Sequence, residues 1–131
     1  TSPVPCSTPP RTCMRPETPA HLWDALDAAK KARSIVDGLR LDDYLADWIR
    51  QSAVERQLEI VGEALGRIRR DDSATAERVP DIHVIIATRN VIIHRYDDVD
   101  HVRVWAMLHQ DIPALIPVLV SLLDEFGPPT R

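Results

Sequence analysis

The sequence predicts an all-α fold, an antiparallel up-and-down four-helix bundle whose last helix is kinked by proline. Three observations predict it. Four segments carry apolar residues at three- and four-residue steps, the spacing that lines one face of a helix. Short connections join them, which makes successive helices antiparallel neighbours. The 131 residues, 44% hydrophobic and 27% charged, have the composition of one globular domain. Aromatic residues make up only 5%, so Leu, Ile, Val and Ala must fill the core.

Six of the eleven prolines fall within the first 19 residues, beside both cysteines, Cys6 and Cys13. Residues 1–17 have no periodicity and read as a flexible Pro-rich head, with Met14 as the expected natural start. The head lacks the continuous apolar run of a signal peptide. The domain is expected over 18–127, with 128–131 as a tail. No cysteine follows residue 13, which suits a reducing cytoplasm.

Thr18-Pro19 is a helix-start signal. Leu22, Leu26, Ala29, Ile35, Val36 and Leu39 keep helical spacing behind it, and Gly38 closes the segment. A second, longer helix is expected over about 42–69. Its inward face would be Tyr44, Leu45, Trp48, Ile49, Ala53, Ile60, Val61, Ala64, Leu65 and Ile68. Asp42 and Asp43 at its start and Arg67, Arg69 and Arg70 at its end complement the helix dipole. Residues 71–79 read as a polar linker.

Pro80 reopens order. Residues 84–86 and 91–93 are β-branched and could form two strands. However, the residues between them include no glycine, and the runs do not alternate polar with apolar. The helical template fits better, with Ile82, Ile85, Ile86, Ile93 and Tyr96 on one broad face and Pro80 in a first turn. Asp97, Asp98 and Asp100 mark a break. The last helix, about 100–126, contains Pro113 and Pro117, which should kink it or split it in two.

Several function classes are set aside. No apolar run approaches the roughly 18 residues of a membrane span. The net charge of −4 argues against coating nucleic acid through a basic surface, though not against one local contact. The five histidines form no H-E-x-x-H pair and no repeated Glu-x-x-His pair. The aspartates at 97, 98 and 100 lack the glycine and distal glutamate of a calcium loop and read as a helix cap. Cys6 and Cys13 lack a second ligand pair. There is no Gly-rich phosphate loop and no G-x-S-x-G elbow. The sequence therefore predicts neither metal nor cofactor.

What remains is Arg89-Asn90-Val91-Ile92-Ile93-His94-Arg95-Tyr96. Arginine supplies a permanent cation and a planar fork of donors for phosphate. Histidine titrates near neutrality and can move a proton. Together they suffice to cleave RNA without a metal. A base takes the 2′-hydroxyl proton, the oxygen attacks the adjacent phosphate, and a cation stabilises the charge that builds there. Asn90 can orient the imidazole or hold a phosphate oxygen. An R-x4-H spacing alone is expected about half a time by chance in this composition. The full R-N-x3-H-x-Y string has a chance on the order of 10⁻⁴, because Asn90 is the only Asn and Tyr96 one of two Tyr.

This string resembles the signature of HEPN-domain proteins, and more narrowly that of the HepT toxins of HEPN/minimal-nucleotidyltransferase toxin–antitoxin systems. Gly62-Glu63-Ala64-Leu65 in the second helix, Val104-Trp105 after the motif and Asp111-Ile112-Pro113 in the fourth helix agree with it. The resemblance covers about residues 18–126. It implies a homodimeric four-helix bundle in the cytoplasm that cleaves mRNA or tRNA without metal. Arg89 and His94 would be the catalytic pair, with Asn90 assisting. It implies as partner a cognate nucleotidyltransferase antitoxin that AMPylates Tyr96 and silences the toxin, with room for a larger hetero-oligomer. The runner-up reading is a non-catalytic dimeric module that recruits the nucleotidyltransferase or holds a nucleotide or phosphate.

Geometry adds a separate argument for the dimer. At 100° per residue, Arg89 and His94 point about 140° apart on one helix, so a single helix does not easily close both around one phosphate. Two such helices across a two-fold axis could line a shared cleft. Glu63 stands in an otherwise apolar stretch and either orients the Arg or His or is a solvated helix residue. Arg95 is a candidate second RNA contact, and Arg67, Arg69 or Arg70 are further candidates. Trp23, Trp48 and Trp105 are expected in the core or the dimer contact.

Overall fold

The computed structural model describes residues 15–94 and 99–126. Among them the helices are α1 (Thr18–Ile35), α2 (Leu41–Leu45), α3 (Trp48–Asp71), α4 (Ser73–Ala76), α5 (Ile82–His94), α6 (His101–His109) and α7 (Asp111–Phe126), and no strand occurs. The all-α expectation holds, and residues 82–94 take the helical form over the two-strand alternative.

Pro19 sits in the first turn of α1, where its missing N–H is not needed. Leu22, Ala25, Leu26, Ala29 and Ala32 then recur at three and four residues and are buried. Gly38 turns the chain at φ +76°, a conformation that glycine adopts without a Cβ clash. Thr18 meets Asp72 at one end of α3, and Arg50 Nε donates to the Ile35 carbonyl at the other, at 3.2 Å. The two long helices therefore run antiparallel. α3 packs on α1 and α5, α1 packs on α7, and α2 bridges α3 and α6.

Two expectations about 42–79 need correction. The stretch 42–69 is not one helix. Asp47 accepts from the Arg50 backbone N–H at 3.1 Å and starts a new helix there, the local side-chain bond that favours aspartate at a helix start. The break rotates the apolar stripe. Tyr44 is fully buried against Trp105, with ring centroids 5.4 Å apart, whereas Leu45, Trp48 and Ile49 face outward, Trp48 with 72% of its surface exposed. Gln51 ties the two helices together by donating to the Tyr44 and Leu45 carbonyls at 3.0 and 3.1 Å. Of the other tryptophans, Trp105 is half-buried and Trp23 is exposed.

The second correction is that 71–79 is not merely a linker. Asp72 ends α3 and caps α4. Burial works against its carboxylate. Four donors outweigh burial and hold it below the usual carboxylate range: Arg15 N–H at 3.1 Å, Thr18 Oγ1 at 2.8 Å, Thr75 Oγ1 at 2.9 Å and Thr75 N–H at 3.3 Å. Replacing Asp72 with Asn is expected to cost about 2 kcal/mol at pH 7. A carboxyl whose folded pKa is depressed stabilises above its unfolded value and loses that contribution as pH falls through the folded one. In urea titrations the gap between the two chains should therefore narrow below about pH 4. A gap constant from pH 7 to 3 would show that the charge at Asp72 does not matter.

The last helix is split, as its prolines foretold. α6 starts at Asp100, whose carboxylate accepts from Arg103 N–H at 3.1 Å, and α7 follows at a 42° bend. Pro113 falls in the first turn of α7, where no N–H is needed, and Pro117 is carried inside it. Arg33 reaches from α1 to the Leu108 carbonyl at 3.0 Å and fastens this corner. No single described helix is long and apolar enough to cross a membrane. Asp97 and Asp98, the expected break before α6, lie outside the described residues.

Candidate functional site

α5 crosses α3 at Gly62, and the crossing seats Arg89. Gly62 is buried. A Cβ placed on it would fall on the Cβ and Cγ of Arg89, and within 3.3 Å of its Cδ. Only a glycine lets the two backbones come this close. Ile85, Ile86 and Ile92 of α5 and Val61 and Leu65 of α3 are buried in the same core, so apolar burial presses the helices together at this point. Arg89 lies half-buried with its stem over Gly62, and Asn90 is exposed beside it.

The guanidinium is held from one side. Arg89 Nη1 donates to Asn90 Oδ1 at 3.2 Å. Its Nε–H is buried and has no partner among the described residues. A dry, unpaired donor is costly, and such groups cluster where function demands them. Arg89 and Asn90 line a groove of about 460 Å³ floored by Gly62 and Gly66. Arg67, Arg69 and Arg70 of α3 line it too, and among the described residues Glu63 is its one acidic lining residue. Glu63 accepts from Arg67 Nη2 at 3.1 Å, and Arg70 lies 3.0 Å from Asp71. Hydrogen bonding to Asp71 raises the Arg70 pKa, and the same contact lowers that of Asp71. Arg69 has no ion pair among the described residues. Among the described residues four guanidinium groups line the groove, two of them paired with the carboxylates of Glu63 and Asp71, and this excess of cations suits anions such as phosphate.

The structure thus brings Arg89, Asn90 and Glu63 to one groove. Glu63 holds Arg67 rather than Arg89. His94 is the last residue of α5, with its side chain outside the described set, and Arg95 and Tyr96 lie outside it altogether. Among the described residues no group of three His, Cys, Asp or Glu side chains converges as metal ligands. Sequence reasoning gave Gly62 no role. The available signal was a glycine interrupting a helical apolar pattern, which points to a close approach.

Comparison with known proteins places this geometry in context. The family model described as "Ribonuclease HepT-like" matches residues 25–122, a span that includes all of α3 and α5. A Thermococcus cleftensis protein named probable ribonuclease HepT is 32% identical over 95 residues, covering 72% of this chain and 86% of the relative. A Methanocaldococcus jannaschii protein whose name provisionally marks it as an RNase is 28% identical over 98 residues, covering 73% and 87%. A third, from Caldanaerobacter subterraneus and named in the same way, is 30% identical over 90 residues, covering 69% and 80%. No solved structure matches the chain.

Proposed function

The chain belongs to the HepT-like ribonuclease family, and on that premise we propose that it is a toxin ribonuclease that cuts mRNA or tRNA in the cytoplasm without a metal ion. The observation that carries the proposal is the seat of Arg89: a guanidinium set over Gly62, steadied by Asn90, at the edge of an arginine-lined groove.

In this reading His94 is the general base. It takes the proton from a 2′-hydroxyl, O2′ bonds to the adjacent phosphorus, and the bond from phosphorus to O5′ breaks. The departing oxygen takes up a proton, leaving a 2′,3′-cyclic phosphate and a 5′-hydroxyl. Arg89 neutralises the charge that grows on the phosphoryl oxygens, and Asn90 fixes the plane of its guanidinium. Arg95 adds a second cation. The chain acts as a homodimeric four-helix bundle, with α5 from each copy lining one shared cleft, because positions five residues apart, as 89 and 94 are, stand about 140° apart around an ideal helix.

Tyr96 is the point of control. A nucleotidyltransferase antitoxin moves AMP from ATP onto its hydroxyl, and pyrophosphate leaves. The added anion competes with the RNA phosphate for the Arg89 cation and blocks the cleft.

The 2′-hydroxyl chemistry has a direct test. An RNA cut by the purified chain should end in cyclic phosphate, and the same RNA with 2′-O-methyl groups throughout should survive intact. Cleavage of the methylated RNA would exclude the mechanism.

A further inference from the structure

We propose that the C-terminal turns of α3 form a phosphate-binding subsite, in the same groove as Arg89 but beyond it, that holds the single RNA strand flanking the cut through Arg67, Arg69 and Arg70. The ligand rests on the ribonuclease reading above; the subsite itself rests on the groove. From Gly62, where Arg89 sits, to Arg70 the helix rises about 12 Å. That length takes more than one phosphate of an extended strand leading away from Arg89.

Charge fixes the direction of the strand. Glu63 and Arg67 form a ridge shared by two recesses. On one side lies the groove, whose described lining sets Arg67, Arg69, Arg70 and Arg89 against Glu63. On the other side, about 310 Å³ is lined by Arg56 and Arg67 against Asp24 and Glu63, with His21. Among the described lining residues cations outnumber acids four to one in the first and only balance them in the second. A polyanion therefore stays in the first groove and does not cross the ridge.

The pairs already in place do not bar a phosphate. Arg67 with Glu63 and Arg70 with Asp71 are exposed, the side chains of Arg67 and Glu63 by 50% and 54%. Exposed pairs of this kind are weak and screened by salt, so a phosphate displaces the carboxylates readily. Arg69 needs no displacement. Among the described residues that line the groove none is aromatic, and their guanidinium groups hold the strand by its phosphates, a contact that carries no base information.

The test is binding, so it does not depend on cleavage. Fluorescence anisotropy with a 2′-O-methyl RNA dodecamer compares wild type, Arg69→Gln/Arg70→Gln, and the control Lys30→Gln/Arg103→Gln, which removes equal charge from exposed positions on α1 and α6. The first double variant should weaken dodecamer binding roughly tenfold and reduce the salt slope by about 1.4, at about 0.7 per lost phosphate contact. The control should change the slope by less than half as much. Glu63→Gln, which frees Arg67, should tighten binding. Equal losses in both double variants, or none in either, would overturn the subsite. Binding that behaves as described in a chain that cuts no RNA would leave the subsite standing and remove only the cleavage reading.

Discussion

A chain carrying His94→Gln should lose RNA cleavage by about 10²–10⁴-fold, the range that a positioned acid–base group contributes, while keeping its affinity for RNA. Glutamine keeps a polar side chain of moderate length and cannot take up a proton. Arg89→Ala should behave differently, losing both cleavage and part of the binding, because in the proposed mechanism the guanidinium contacts the phosphate before and during the reaction. A module that only held a phosphate would show the reverse pattern, indifferent to His94 and dependent on Arg89. The same two positions test the shared cleft. Mixing Arg89→Ala chains with His94→Ala chains should restore part of the activity, since a heterodimer assembles one intact set. No recovery in a confirmed heterodimer would mean that each copy works alone.

The second large effect is expected at Gly62. In a helix interior, Gly→Ala ordinarily gains up to about 1 kcal/mol. Gly66 shows that baseline, because its Cβ would meet nothing within 4 Å, and Gly66→Ala should raise the urea midpoint. Gly62→Ala should lower it, since the new methyl overlaps the Arg89 stem and overpacking costs about 1–3 kcal/mol. Cleavage should fall further than stability. The helices can part or Arg89 can swing aside, and either shift moves the guanidinium. A displacement of about 1 Å at a catalytic group can cost about 10²-fold. The decisive readout is kcat measured well below the unfolding midpoint. If the two alanine variants matched in both stability and kcat, the Gly62 contact would have no part in seating Arg89.

Much of this molecule was legible from periodicity. The cores of α1 and α7 follow the apolar spacing, and the bend before Pro113 follows from its ring. In α5 Ile85 and Ile86 are buried as expected, Ile92 is buried without having been expected, and the side chains of Ile93 and Tyr96 lie outside the described set. Periodicity misled at 42–49, because a helical stripe does not reveal a change of phase. The decisive local event, Asp47 capping α3, places Trp48 and Ile49 outside although both fit the stripe. Asp72 was hidden for a similar reason: its four donors come from residues as far away as Arg15 and Thr18. At the candidate site, Arg89 and Asn90 could be singled out by chemistry and rarity. Arg67, Arg69 and Arg70 could be named as candidate RNA contacts, but the groove that gathers them with Arg89 could not, since it forms where the crossing at Gly62 joins positions 27 residues apart in sequence.

The central claim is that this chain cuts RNA with its own side chains. The most direct measurement is to incubate the purified protein with total tRNA and an mRNA in EDTA, beside His94→Gln, after intact mass has shown Tyr96 to be unmodified. Cleavage by the wild-type chain alone is the expected result. Intact RNA with both chains would contradict the account.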